Sequence, residues 1–351
     1  MTTEPSLVTR IDVRHADDET YAALAEYGDH IRDEIQPDEP AVPLADRIQG
    51  WHSIPSFVEP ITWVAHWPGE AAIIAVADLV ILHMPENQHL GQVNLSVRRD
   101  YRCRGIGRQL LAYIAEAATS AGRSMLLTET SDRVPAGEAF AQRIGAHKSM
   151  EMHTNQLALA ELCLDVLRQW LERARELEQR YELLIWTGAY PEEEIGAVAM
   201  LLDVMNQAPR GDLDVEDLHH TPELLRQIEQ SAFANGKQRW TMVVRERATG
   251  ILTGFTEVSW SPSRTDLLWQ GDTGVLTTYR NQGLGHWLKA AMLQKVMTDL
   301  PQMRYVRTGN ADANVPMLKI NTDLGYRPYM SRSLWQIETA ALQKYLSART
   351  R

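Results

Sequence analysis

The hexapeptide Arg102-Cys103-Arg104-Gly105-Ile106-Gly107 returns later as Arg280-Asn281-Gln282-Gly283-Leu284-Gly285, an Arg-x-x-Gly-x-Gly pattern in each half of the chain. One such hexapeptide is an ordinary glycine turn; two in matching surroundings mark a duplication. Before each lies an apolar run ending at the same spacing, Gly91 to Val97 in one half and Leu268 to Val275 in the other, which reads as a strand. After each comes an amphipathic stretch, Arg108 to Ala121 and His286 to Thr298, with apolar residues three and four apart. Strand, glycine turn and helix are therefore expected twice.

The repeat extends outward from these turns. Trp63 and Trp240 are each expected to open a two-strand segment upstream, and Ile144-Gly145-Ala146 is answered downstream by Leu324-Gly325-Tyr326. Between the halves, Leu159 to Arg180 has helical period without Gly or Pro and reads as a linking helix. A fresh strand at Tyr181 to Trp186 then mirrors Leu7 to Val13. The expected division is residues 1–158 and 181–351, joined by a helix at 159–180. Asn206 to Thr221, with Pro209, Gly211 and several aspartates, reads as a mobile loop, and Gln36 to Pro43 as its counterpart. Such loops are natural walls for a substrate site.

Composition sets limits. A chain of 351 residues accommodates two domains, each large enough to bury its own core. Two cysteines, Cys103 and Cys163, make no disulfide framework and point to a reducing cytoplasm. Met1 to Ser6 lacks a basic segment leading into an apolar one, and no apolar stretch reaches spanning length; the longest, Ala71 to Leu82, is broken by Asp78 and reads as a sheet strand. A net charge of −11 disfavours a nucleic-acid partner. His219, His220 and His286 follow no zinc spacing, so no metal is expected.

The chemistry of the turn follows from its backbone. A helix start exposes unpaired N–H groups and the positive end of the helix dipole, so a pyrophosphate there meets several donors at once. Side chains at 105 and 107, or at 283 and 285, would block that approach. Arginine adds charge and either braces the turn or reaches an oxygen. A dinucleotide fingerprint would need a third glycine where Leu110 and Leu288 stand, and a Walker loop would need Gly-Lys-Ser/Thr. Hydride transfer and nucleotide hydrolysis are disfavoured.

The stretches Val97 to Gly107 and Val275 to Gly285 resemble the acyl-CoA signature of the GCN5-related N-acetyltransferase (GNAT) superfamily, and two copies resemble its tandem, mycothiol synthase-like members. The resemblance covers about residues 7–158 and 181–338. It implies an α/β fold of two tandem GNAT domains, each a mixed, mostly antiparallel sheet flanked by helices and splayed between its fourth and fifth strands. Acetyl-CoA or another acyl-CoA would bind, up to one per domain, with its pantetheine arm in the splay. Leu95, Ser96 and Val97, or Thr273, Gly274 and Val275, would meet that arm. The pyrophosphate would lie on Arg102, Cys103, Arg104, Gly105, Ile106, Gly107 and Arg108, or on Arg280, Asn281, Gln282, Gly283, Leu284, Gly285 and His286. Asn310 and Asn314 would complete the second cofactor site.

The halves differ in what surrounds the turn. Members of the superfamily commonly place an asparagine and then a tyrosine in the last helix, the tyrosine protonating the departing thiolate. The second half keeps Asn314 and has Asn321 in the tyrosine place; the first has Val134 and Ala141. Attack by an amine needs a base and a donor for the oxyanion. The backbone N–H of Val275 or Leu276 is a candidate donor, and Glu257 and Asp272 are candidate bases. Asp272 aligns with Asn94, which leaves the first half without that carboxylate. Asn321 cannot act as an acid, so thiolate protonation would fall to water, Tyr326 or Tyr279. The expected protein is an acetyl-CoA-dependent N-acetyltransferase of a small-molecule amine, monomer or homodimer, active in its second half. The alternative is a non-catalytic acyl-CoA-binding or sensing protein.

Overall fold

The computed structural model describes residues 7–348; the reading of Met1 to Ser6 lies outside them. The first half of the chain runs β1 (Leu7–Ile11), α1 (Asp18–Ile35), α2 (Leu44–His52), β2 (Val58–His66), β3 (Ile73–Leu82), β4 (Leu90–Val97), α3 (Ile106–Ser120), β5 (Met125–Ser131), α4 (Pro135–Ile144), β6 (His147–Ala158) and α5 (Leu164–Leu177). The second repeats the order with β7 (Tyr181–Thr187), α6 (Ile195–Leu202), α7 (Pro222–Ala234), β8 (Gln238–Glu246), β9 (Leu252–Trp260), β10 (Leu267–Val275), α8 (Leu284–Asp299), β11 (Tyr305–Ala311), α9 (Val315–Leu324), β12 (Arg327–Glu338) and α10 (Thr339–Ala348).

These elements gather into two compact units that do not follow the sequence halves. The first holds the chain up to Glu151, Asp212–Glu216, and Ser331 onward; the second holds Met152–Gly211 and Asp217–Met330. In the first, β1-β2-β3-β4-β5 is completed by the end of β12, where Arg332 pairs with Ser131 and Glu338 with Met125. In the second, β7-β8-β9-β10-β11 is completed by the end of β6, where Met152 pairs with Ala311 and Ala158 with Tyr305. The helix that follows goes with its strand, so α10 packs on α3 and α5 on α8. The segment expected as a linker at 159–180 is thus a short 3-10 turn and then α5, whose Leu167, Trp170 and Ala174 enter the core of the second unit. Each sequence half finishes the other half's sheet.

Burial explains the helices. α3 places Ile106, Leu110, Leu111, Ile114, Ala115 and Ala118 on one face against β3 and β4, and each fully buried leucine contributes about 1.5–3 kcal/mol. α8 is buried around most of its girth, with Leu284, Trp287, Leu288, Ala290, Met292, Leu293 and Val296 all enclosed, because α5 covers the side its sheet does not. Both helices begin at the glycine turn itself, earlier than their apolar period suggests. Trp63 and Trp240 sit within β2 and β8 rather than opening them. Asn206–Thr221 is irregular but stapled: Asn206 Nδ2 donates to Leu218 O at 2.8 Å, Leu218 N donates back at 3.0 Å, and Arg210 pairs with Asp217 at 2.5 Å.

Both sheets are antiparallel except at one place, and there they split. β4 and β5 run parallel and pair only from Leu90–Met125 to Gln92–Leu127; β10 and β11 pair only from Leu267–Tyr305 to Trp269–Arg307. Beyond those residues the facing edges have no partner strand. A slot edged by unused backbone N–H and C=O groups accepts an extended chain as a strand would be accepted.

Candidate active site

The two glycine turns have the same backbone. Arg102 lies at φ −67°, ψ 163° and Arg280 at −66°, 163°; Cys103 and Asn281 are left-handed at 60° and 62°, and Gly105 and Gly283 at 87° and 88°. Gly105 and Gly283 are the residues that cap α3 and α8, where a side chain would be strained. Gly285 needs no unusual angle; a Cβ there meets no protein atom closer than 4.0 Å, so the space over the first turn of α8 is open. At Gly107 the ring of Phe140 stands 3.4 Å from the same point. Ile106 and Leu284 point into the cores, which leaves the turn's backbone N–H groups for a ligand.

The arginines brace their turns. Arg102 Nε donates to Val97 O at 2.9 Å and Arg280 Nε to Val275 O at 3.1 Å. Their outer nitrogens differ: Arg102 forms a two-pronged ion pair with Glu34, whereas Arg280 donates to the neutral Gln207 at 2.8 Å. In the first unit Arg104 lies over the rings of Trp67 and Tyr101, and Arg108 donates to Leu346 O. Beside that turn a cavity of about 600 Å³ is lined by Arg98, Arg99, Arg102 and Arg133, by the carboxylates of Asp33, Glu34 and Asp100, and by the start of α4. In the second unit Gln282 accepts from Tyr181 at 2.8 Å, and His286 packs on Trp170 with centroids 4.3 Å apart, its imidazole pushed down by burial.

The strands leading to the turns differ. β4 pairs with β3 in unbroken register, with Asp78 opposite Asn94. β10 carries a bulge against β9 between Gln270 and Thr273, so Gly271 and Asp272 stand where one residue would. Bulges redirect side chains and recur beside active sites. Asp272 is reachable by solvent yet set among protein, and its carboxyl is raised from its ordinary value by loss of water first and by the charge of Glu257 second, against the pull of His220. No hydrogen bond or ion pair engages Asp272 among the described residues. Glu257 Oε1 is held by Tyr190 Oη at 2.6 Å and Thr241 Oγ1 at 2.6 Å, with Arg239 Nε at 3.9 Å. His219 and His220 both reach Asp203, at 3.2 and 2.8 Å; among the described residues no group of three metal-ligating side chains comes together.

The remaining sequence candidates separate. Asn314 caps α9, its side chain accepting from Met317 N at 3.4 Å, while Val134 offers α4 no such cap. Leu276 N donates to Thr253 O at 2.9 Å, so of the two backbone donors considered for the oxyanion only Val275 is left. Tyr279 Oη is spent on Glu246 at 2.9 Å. Tyr326 belongs to the core; its hydroxyl has no partner and burial raises it further, which takes it away from any reactant. Two residues were missed. Asp78, read only as a break in an apolar run, accepts from Thr62 Oγ1 at 2.6 Å and is raised by burial, the counterpart of Glu257 and Thr241. Lys289, set one turn into α8, is 1% exposed and donates to Asn321 at 3.2 Å.

Comparison with known proteins agrees with this architecture. Residues 60–145, from β2 to the end of α4, match the acetyltransferase (GNAT) domain family. A solved tandem GNAT protein from the clavulanic acid biosynthesis pathway, without AcCoA, is 24% identical, with 95% of this chain and 99% of that one covered and a TM-score of 0.74. A GCN5-related N-acetyltransferase from Sphaerobacter thermophilus is 13% identical over 95% of this chain and 96% of its own, with a TM-score of 0.66. A GCN5-related glucosamine N-acetyltransferase region of a fungal multi-domain β-N-acetylglucosaminidase is 14% identical, covers 95% of this chain and 38% of its own, and has a TM-score of 0.66. No curated protein matches the sequence. No helix among the described residues is long and apolar enough to cross a membrane.

Proposed function

We propose that this chain, a tandem GNAT protein in its fold, is an acyl-CoA-dependent N-acetyltransferase of a small-molecule amine, with its catalytic centre in the second unit. Acetyl-CoA fits what that unit offers: a left-handed glycine cap with open space over the first turn of α8, an arginine whose charge no carboxylate cancels, and a slot between β10 and β11. Gly283, Leu284 and Gly285 would hold the pyrophosphate through backbone N–H groups, with Arg280, Asn281 and Gln282 shaping the turn. Thr273, Gly274 and Val275 would line the pantetheine arm. When bound, the cofactor supplies an activated acetyl group as a thioester.

The chain's own residues do the rest. Asp272, aimed by the bulge and left without a partner, takes the proton that an attacking ammonium must lose; a carboxyl raised above its ordinary value is a stronger base for that task. Glu257, fixed by Tyr190 and Thr241, sets the local negative charge that draws a cationic amine. The Val275 N–H is the candidate oxyanion donor. The observation that carries the reading is the unpaired Asp272 in a bulge at the mouth of the split sheet. Steady-state release of free thiol from acetyl-CoA across an amine panel tests it. Turnover that is lost in Asp272→Asn supports the reading; cofactor binding without turnover on any amine would leave a sensor instead.

The first unit is proposed to hold the same cofactor without turning it over. Its turn and arginine brace support binding. Against catalysis stand Asn94 in the place of Asp272, an unbulged β4 and the uncapped start of α4.

A further inference from the structure

Lys289 occupies a position where α8 otherwise buries apolar side chains. Its Nζ donates to Asn321 Oδ1 at 3.2 Å, and Asn321, itself 1% exposed, donates through Nδ2 to Asn310 Oδ1 at 2.8 Å. An ammonium has hydrogens to give and nothing to accept with. Asn321 must therefore turn its oxygen toward Lys289 and its NH2 away, and Asn310 must in turn present its oxygen. A buried cation thus fixes the direction of two amides in succession.

The row ends at the split in the sheet. Asn310 lies on β11 past Arg307, in the stretch that β10 no longer covers. Its Nδ2 is the one amide group of the row with no partner among the described residues, although the side chain is 9% exposed. An aligned row of hydrogen bonds is polarised along its length, so a cation at one end strengthens the N–H at the other. The ring of Tyr326 lies 5.8 Å from Nζ, but no charged side chain among the described residues offsets Lys289: burial alone lowers its ammonium, to about 7. Keeping an unpaired cation in a core is costly, and the cost is offset where a negative charge arrives at the far end of the row.

We propose that Lys289, Asn321 and Asn310 form such a row, and that Asn310 Nδ2 donates to the sulfur of the acyl-CoA bound in the second unit and stabilises the departing thiolate. This rests on the acyl-transfer reading above. As the amine nitrogen bonds to the carbonyl carbon and the carbon–sulfur bond breaks, the electron pair passes to sulfur and the row takes up that charge by hydrogen bonding, losing no proton. Asp272, open to solvent, takes the proton of the incoming ammonium and releases it to water, then takes the proton the nitrogen loses after attack; the thiolate is protonated by water as coenzyme A leaves. Asn310 touches the reacting sulfur; Lys289 and Asn321 are positioning residues. Asn321 thereby fills the tyrosine place with a different solution to the same charge.

The test is the ionisation of coenzyme A bound to the full-length protein, in a Gly105→Val background that silences the first site. Thiolate absorbance is followed against pH, with desulfo-coenzyme A as the blank. Thiolate and ammonium stabilise each other along the row, so the thiol is expected to ionise at least about one unit below that of free coenzyme A, a tenfold change in ionisation constant, and Lys289 to keep its proton above pH 7 only while the thiolate is present. Lys289→Met and Asn310→Ala should each return it to the free value, and Asn310→Asp, which keeps the oxygen Asn321 needs but loses the donor, should raise it further. Calorimetric affinity for desulfo-coenzyme A should stay within about threefold in Lys289→Met, which also reports that it folds, and circular dichroism reports the fold of the Asn310 variants. A bound thiol that ionises like the free one in the parent protein, or variants that match the parent, overturns the row while leaving the acyl-transfer reading intact. Failure of the parent to bind coenzyme A at all overturns the reading beneath it.

Discussion

The turn at Arg102 and the turn at Arg280 are the same backbone with different company. Their dihedral angles agree within about five degrees, and each arginine braces the carbonyl of the valine that ends the preceding strand. Around them, Glu34 cancels one arginine where Gln207 leaves the other charged, β4 is regular where β10 bulges, and Asn94 stands where Asp272 does. Phosphate is gripped by main-chain N–H groups, which survive any substitution that keeps the glycines. The family match falls on residues 60–145, in the first half.

Asp272 and Asp78 give the sharpest way to break this comparison. Asp272→Asn is expected to lower kcat by about 10²- to 10⁴-fold, the usual worth of a positioned base, with KM for acetyl-CoA little changed. Because the Asp272 carboxyl is raised, the parent's rate should fall on the acid side as that group takes up a proton, and the variant should lack this limb. Asp78→Asn should leave kcat within about threefold. Equal losses in the two variants would mean that both units turn over.

Lys289 has no counterpart in the first unit's chemistry and carries a signature in stability. Its folded value, about 7, lies below its ordinary 10.5, so between those values the unfolded chain binds more protons and stability rises with pH. The penalty is fully present below about pH 7 and fades toward 10.5. Lys289→Met should therefore stabilise the protein by about 1–4 kcal/mol at pH 6, with a smaller gain at pH 9.5, measured as Tm at the two pH values. A variant that is destabilised at pH 6 would show that the lysine is held for structure.

Exchanging the arginines' partners tests the remaining difference more gently. Glu34→Gln should free Arg102 and tighten coenzyme A binding in the first unit, and Gln207→Glu should weaken it in the second, each by about two- to tenfold in low salt and less at high salt. Site-resolved calorimetry in Gly105→Val and Gly283→Val backgrounds separates the two contributions. No change in either would assign Arg102 and Arg280 to bracing alone.

Much of this was legible in the sequence. The doubled turn, the strand before it and the helix after it are local patterns, and the angles at Gly105 and Gly283 are what glycine in that place implies. The exchange of β6 and β12 was not legible, because strand partners far apart in sequence leave no mark on periodicity. It also moves the unit boundary away from residues 158 and 181, to Glu151 and Ser331. Asp78 was hidden by its apolar neighbours, which mark a buried strand without saying that Thr62 stands opposite to satisfy a carboxyl. Lys289 was hidden by the reverse rule: a lysine in a helix normally marks the wet face, whereas this one reaches inward to Asn321 of α9 and the ring of Tyr326. Tyr326 was drawn toward chemistry by its place after Gly325 and proves to be core.

The central claim is that both turns hold cofactor and one of them works. Substituting valine at Gly105 or Gly283 forces a β-branched residue into left-handed backbone and disables one turn at a time. Free-thiol release from acetyl-CoA by the two full-length variants, on an amine that the parent accepts, tests it most directly. The account predicts that Gly283→Val is silent while Gly105→Val keeps the parent rate within about threefold. Activity retained by Gly283→Val and lost by Gly105→Val would contradict it.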